Sequence, residues 1–214
     1  MKKTLLTCAL FCMALLATAQ PTWEQLGGVY YAYPERSGAD FRVPEGFQPF
    51  YISHYGRHGS RWLTSDSRYE WVNSQFADKR NLTPLGREVA KRLRKIWRNA
   101  KGNGGKLTPL GARQHSGIAY RMAQAYPSVF ANRPVVRACS STSDRCRKSM
   151  EAAFRTFLAL PNGFLVVCKT DSADMAWIAY NSPEEQRLTA ATKVVARVTP
   201  DRFLKALFRD PAKV

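Results

Sequence analysis

Val135-Val136-Arg137-Ala138-Cys139-Ser140-Ser141-Thr142-Ser143-Asp144 passes within ten residues from a β-branched run to a cluster of hydroxyl and acidic side chains. Pro134 stands before it, and Met150, Phe154 and Leu158 recur behind it at helical spacing. The stretch predicts a strand over Val135 to Ala138, a loop, and a helix running through Leu158. Phe164-Leu165-Val166-Val167-Cys168 then supplies a further apolar run of strand length. Strand, helix and strand in alternation predict an α/β layer structure, a mostly parallel sheet flanked by helices.

Toward the N-terminus the chain repeats itself. Leu82-Thr83-Pro84-Leu85-Gly86 returns as Leu107-Thr108-Pro109-Leu110-Gly111, and each copy predicts a helix start. Thr83 and Thr108 can cap orphan backbone N–H groups, while Pro84 and Pro109 suit the first helical position, where no hydrogen bond is lost. Val89, Leu93, Ile96 and Trp97 form one core-facing stripe, and Ile118, Met122 and Ala125 form another. With Gly102-Asn103-Gly104-Gly105 between them, the two helices read as a helical hairpin. Arg87, Lys91, Arg92, Arg94, Lys95 and Arg98 crowd the first helix and read as its solvated face.

Further upstream, Phe50 to Ser53 reads as a buried strand ending at Tyr55-Gly56-Arg57-His58-Gly59-Ser60-Arg61. The chain has three histidines, His54, His58 and His115, so a histidine bracketed by two arginines is less easily dismissed than the arginine content suggests. An imidazole attacks phosphorus efficiently when the substrate's negative charge is held beside it, and flanking guanidinium groups supply that hold. His115, on the second helix near its apolar stripe, reads first as a packed or surface histidine. His54, just before the loop, is a candidate support for His58.

The ends of the chain bound its setting. Lys2 and Lys3, the apolar run Leu5 to Leu16 and then Ala17-Thr18-Ala19 have the pattern of a secretory signal peptide cleaved after Ala19. The run is short for a membrane span and no second one follows, so no transmembrane anchor is expected. Loss of Lys2 and Lys3 lowers the formal net charge by two, from +17 to +15. So basic a protein concentrates polyanions around it. Export argues against a specific nucleic-acid partner, and neither a zinc-finger spacing nor an RNA-binding strand motif is present. Beyond the leader the cysteines are Cys139, Cys146 and Cys168, an odd number in an oxidising compartment. A Cys139–Cys146 bridge is possible in principle, and spacing does not settle its geometry. No Cys and His cluster has metal-ligand spacing, and neither metal nor cofactor is expected.

The loop after the Val135 strand could be no more than a helix cap built by Ser141, Thr142 and Asp144. It also offers a helix N-terminus together with Arg145 and Arg147, which suits an anion. In an α/β sheet, two strand ends can bring this loop and the Arg57-His58 loop to one edge.

These stretches resemble the histidine acid phosphatases of the histidine phosphatase superfamily. Arg57-His58-Gly59-x-Arg61 is similar to their nucleophile motif, and the similarity runs in order over roughly residues 45 to 190. Leu107 to His115 and Ser141 to Met150 are similar more narrowly to the secreted multiple inositol polyphosphate phosphatase branch. The resemblance implies that His58 is the nucleophile and forms a phosphohistidine. It implies that Arg57, Arg61 and Arg145 grip the phosphoryl oxygens, a role suited to permanently charged, planar guanidinium groups. Gly59 would let the backbone pass close to phosphate, and Ser60 and Thr142 complete the expected substrate-binding set. The expected partner is a phosphorylated small molecule such as an inositol polyphosphate. The family pattern often continues with proline where this chain has Leu63.

The resemblance also implies a downstream histidine followed by an acid that protonates the leaving alcohol, and no histidine follows His115. The chain is accordingly expected to be an N-terminal part: a leader over 1–19, α/β phosphatase domain over 20–170, and the beginning of a helical cap over 171–214. Turnover of phytate is expected to be weak or absent, because losing general acid catalysis costs about two to four orders of magnitude. The other reading open at this point is a non-catalytic basic protein of the cell envelope that binds polyanions.

Overall fold

The computed structural model describes residues 22, 26–33, 43–131, 134–161, 164–178, 182–191 and 200–214. The expected leader and its cleavage site lie outside the described residues. The chain divides into two compact units, Met1–Pro34 and Glu35–Val214. The first contains a 3-10 turn over Gly28–Tyr30; all else below belongs to the second.

Helix α1 spans Asp66–Ser74. Helices α2, Pro84–Ala100, and α3, Pro109–Ala125, begin where the repeated motif predicts. Thr83 Oγ1 accepts from Gly86 N and Thr108 Oγ1 from Gly111 N, both at 3.0 Å, each cap contributing about 1 kcal/mol.

The two helices do not form the expected packed hairpin. Helix α2 lies against α1 and against α8, Asp201–Leu207, around a core of Phe76, Leu82, Ala90, Leu207 and Phe208. Helix α3 packs instead on α5, Asp144–Ala159, beside a second core of Ala119, Phe130, Phe157 and Phe164. A glycine-rich linker fixes the distance between two helices but not which apolar faces meet. Here each stripe packs on a different partner elsewhere. Ile96, expected in the α2 stripe, is exposed, because it falls about 100° round the helix from Trp97 and outside the covered arc.

The first motif copy also fastens a distant segment. Leu82 makes an antiparallel bridge with Phe208. Leu207 O accepts from Thr83 N at 3.0 Å and from Thr83 Oγ1 at 3.2 Å, while Arg209 N donates to Asn81 O at 2.7 Å. A Cβ on Gly86 would sit 2.0 Å from Leu207 O, so the approach requires glycine.

After the short helix α4, Pro127–Phe130, come strand β1, Val135–Ser140, helix α5 and strand β2, Leu165–Thr170. The strands are parallel, in register from Val135 opposite Leu165 to Ser140 opposite Thr170, and form a two-stranded sheet. The strand–helix–strand unit thus follows its sequence pattern. Val136 and Val166 pack into the second core, while Val135, Leu165 and Val167 are exposed on the opposite face. Beyond β2 lie the 3-10 turn Ser172–Asp174, helix α6, Met175–Ile178, and helix α7, Pro183–Ala191.

The predicted strand over Phe50 to Ser53 is not formed. Those residues are without regular structure, Phe50 and Tyr51 are 91% and 72% exposed, and Ile52 packs against the second core. An apolar run becomes a strand through backbone pairing with a neighbour, and no described strand runs alongside it. The cysteines expected to permit a bridge, Cys139 and Cys146, are free thiols, as is Cys168. Among the described residues no helix is long and apolar enough to cross a membrane.

Candidate active site

The second motif copy holds the Arg57–Arg61 loop. Leu107 makes an antiparallel bridge with Arg61. Ser60 O accepts from both the backbone N and the Oγ1 of Thr108 at 2.9 Å, and Trp62 N donates to Lys106 O at 3.0 Å. The backbones of Gly59 and Gly111 cross in near contact. A Cβ on Gly59 would lie 2.3 Å from Gly111 O, and one on Gly111 would lie 2.2 Å from Ser60 O. The space left by the bare Gly59 is therefore filled by the α3 backbone.

Side chains from α3 and α5 fix much of the loop's remaining backbone. Gln114 Oε1 accepts from Ser60 N at 2.8 Å, and Ser149 Oγ accepts from Gly59 N at 3.1 Å while donating to Arg145 O at 2.8 Å. His115 Nε2 lies 3.1 Å from Arg57 O. A carbonyl only accepts, so this nitrogen carries the proton. Gln114 and Ser149 are 5% and 3% exposed. The sequence alone assigns neither a role, and His115 reads there as a packed or surface residue. The available signal was polar side chains on otherwise buried helix faces, where burial requires a hydrogen-bond partner.

His58 Nδ1 is 2.8 Å from Gly59 O. By the same logic Nδ1–H is the donor, which leaves the Nε2 lone pair free. Burial lowers the pKa of His58 below its usual 6.5, and the positive charges of Arg145, Arg57 and Arg61 push it the same way, against the Gly59 hydrogen bond, which raises it. All three expected arginines thus act electrostatically on this imidazole. The ring thus sits in a positive field that disfavours its charged form.

The arginines differ in how they are held. Arg57 is exposed. Arg61 Nη1 donates to Trp62 O at 2.7 Å. Arg145 Nε is buried with no hydrogen-bond partner, a costly state for a charged donor and one that an anion's oxygen would relieve. Arg147 is already committed, bonded to Asp144 at 2.6 Å and to Glu151. The N-cap of helix α5 is Ser143, without a side-chain hydrogen bond, so the alternative of a cap built by Ser141, Thr142 and Asp144 is not realised. Thr142 is exposed, and its Oγ1 lies 3.9 Å from Met175 Sδ. Tyr55 OH donates to Ile178 O at 2.7 Å, so α6 is tied to the approach to the loop. Among the described residues no group of three or more His, Cys, Asp or Glu is placed to hold a metal ion.

Neither a protein-family model nor a curated protein matches this chain in sequence. Solved structures do match. The multiple inositol polyphosphate phosphatase of Bifidobacterium longum in complex with phosphate aligns with a TM-score of 0.54 at 20% identity, over 83% of this chain and 47% of that one. The same enzyme in complex with inositol hexasulfate aligns with a TM-score of 0.52 at 20% identity, over 82% of this chain and 46% of that one. The chain therefore spans less than half the length of the structures it matches. The likeness is one of fold: this chain is built like part of the histidine phosphatase fold of that enzyme.

Proposed function

We propose that this chain carries the phosphoryl-accepting half of an exported phosphomonoesterase acting on inositol polyphosphates. The observation that carries the reading is His58: its Nδ1–H is committed to Gly59 O, its Nε2 is free, and Arg145, Arg57 and Arg61 surround it with positive charge. Nε2 attacks phosphorus and the ester P–O bond breaks, its electron pair leaving on the alcohol oxygen, which takes up a proton. Water then attacks the phosphohistidine, the P–N bond breaks, and inorganic phosphate is released. The guanidinium groups neutralise the phosphoryl oxygens while charge develops. His58 is occupied as the nucleophile and a guanidinium does not give up its proton, so none of these four residues protonates the leaving oxygen; in this reading capture of phosphate by His58 outpaces turnover.

The substrate class rests on the basic loop and on the matching enzyme, solved with phosphate and with inositol hexasulfate. Export rests on residues 1–19, whose cleavage would place Gln20 at the N-terminus of the secreted protein. The test is rapid quenching of the 214-residue protein with radiolabelled inositol hexakisphosphate. Acid-labile label on His58, lost in His58→Ala, is the expected result. Saturable binding with no label would replace the enzyme by a polyanion-binding protein.

A further inference from the structure

We infer that His115 is a positioning residue for His58, holding the peptide plane that precedes the nucleophile; this deepens the phosphoryl-transfer reading and rests on it. Arg57 O belongs to the planar unit joining Arg57 to His58. A hydrogen bond from His115 Nε2 to that oxygen restricts ψ of Arg57 and φ of His58 together. Those angles set where the Arg57 guanidinium and the His58 ring leave the backbone. Gln114 grips the other side of the nucleophile at Ser60 N. Consecutive residues on α3, about 100° apart round the helix, thereby bracket His58 from before and behind.

The repeated motif shows that this pair is not an ordinary feature of the helix. Aligning the two copies through Gly86 and Gly111 sets Val89 and Ala90 opposite Gln114 and His115. Val89 and Ala90 join the apolar core on α2. Their counterparts on α3 are polar and reach the loop backbone. A helix that needed only to pack would be served by the apolar pair. The polar pair gives up apolar burial at two positions, and each member is matched to a specific loop group.

The experiment compares the full chain with His115→Leu and His115→Gln, the latter able to donate from its amide nitrogen to Arg57 O. Inorganic phosphate binding is measured by calorimetry, unfolding by urea titration, and the imidazole and His58 amide signals by NMR. His115→Leu is expected to weaken phosphate binding roughly three- to tenfold, the range of one lost hydrogen bond, and to move the His58 signals. His115→Gln is expected to recover most of both effects. A merely structural role would shift the urea midpoint while leaving phosphate affinity and the His58 signals of the folded protein unmoved, and that outcome would overturn the assignment. So would a His115 ring protonated at Nδ1 alone, or a His115→Gln protein no better than His115→Leu. If the wild-type chain binds no phosphate, the proposed function fails; the ring tautomer and the His58 signals still decide the positioning role. If His115→Leu does not fold, His115→Gln and the wild-type tautomer decide it.

Discussion

Thr83 and Thr108 do the same local task for different ends. Each caps its own helix, each donates through N and Oγ1 to carbonyls of one distant segment, Ala206 and Leu207 for Thr83 and Ser60 for Thr108, and each stands three residues before a glycine crossed by that distant backbone. One copy clasps Leu207 and Phe208, both buried in an apolar core. The other clasps Ser60 and Arg61, partly exposed beside the His58 imidazole. The motif is a fastening whose chemistry comes from the clasped segment and from the helix positions just beyond the glycine. Those positions are apolar in the first copy and polar in the second.

That division of labour can be broken in order of effect. Leu82→Ala should cost about 2–5 kcal/mol in urea unfolding, because the side chain is 1% exposed in the core. Leu107→Ala, only partly buried, should cost roughly 1 kcal/mol; equal costs would show the two clasps to be energetically alike. Gly86→Ala and Gly111→Ala each force a Cβ onto backbone and should each cost about 1–3 kcal/mol. Only Gly111→Ala should also lower phosphate affinity measurably. Thr83→Ala and Thr108→Ala should each lose about 1 kcal/mol of capping, with phosphate binding weakened in the second alone.

The smallest effect is in pH. His58 and His115 both have pKa values below their usual 6.5, chiefly through burial. As pH falls through 6.5 the unfolded chain takes up protons first, so stability is retained above that value and declines below it. Urea midpoints measured at decreasing pH should show the decline, and His115→Gln should flatten it. A flat wild-type profile would mean that neither imidazole is more easily protonated when unfolded than when folded.

Much of this arrangement was legible in local sequence. Threonine before proline announces a helix start, and Val135 to Cys168 carries its strand–helix–strand pattern through spacing alone. What sequence could not supply was pairing. Phe50 to Ser53 has strand composition but no strand to pair with among the described residues, whereas Leu207 and Phe208, within a stretch of helical composition, close an antiparallel bridge onto Leu82. In the site, the arginine–histidine loop and Arg145 were recognisable as residue types suited to phosphate. Gln114 and Ser149 were not, because their role lies in which backbone group each reaches across 54 and 90 residues of chain. Arg147 shows the converse: its position resembles that of Arg145, but two acids on its own helix hold it.

The outer face of the β1–β2 sheet has a consequence for the protein in solution. Parallel sheets are ordinarily covered on both sides, yet Val135, Leu165 and Val167 stand bare on this one. A formal charge of +17 keeps copies of the chain apart at low ionic strength. Salt shortens the reach of that repulsion to about 10 Å at 0.1 M and leaves the apolar attraction intact. Light scattering from the purified protein should therefore rise as salt is added, the reverse of an assembly held by ion pairs, and Leu165→Lys should suppress the rise.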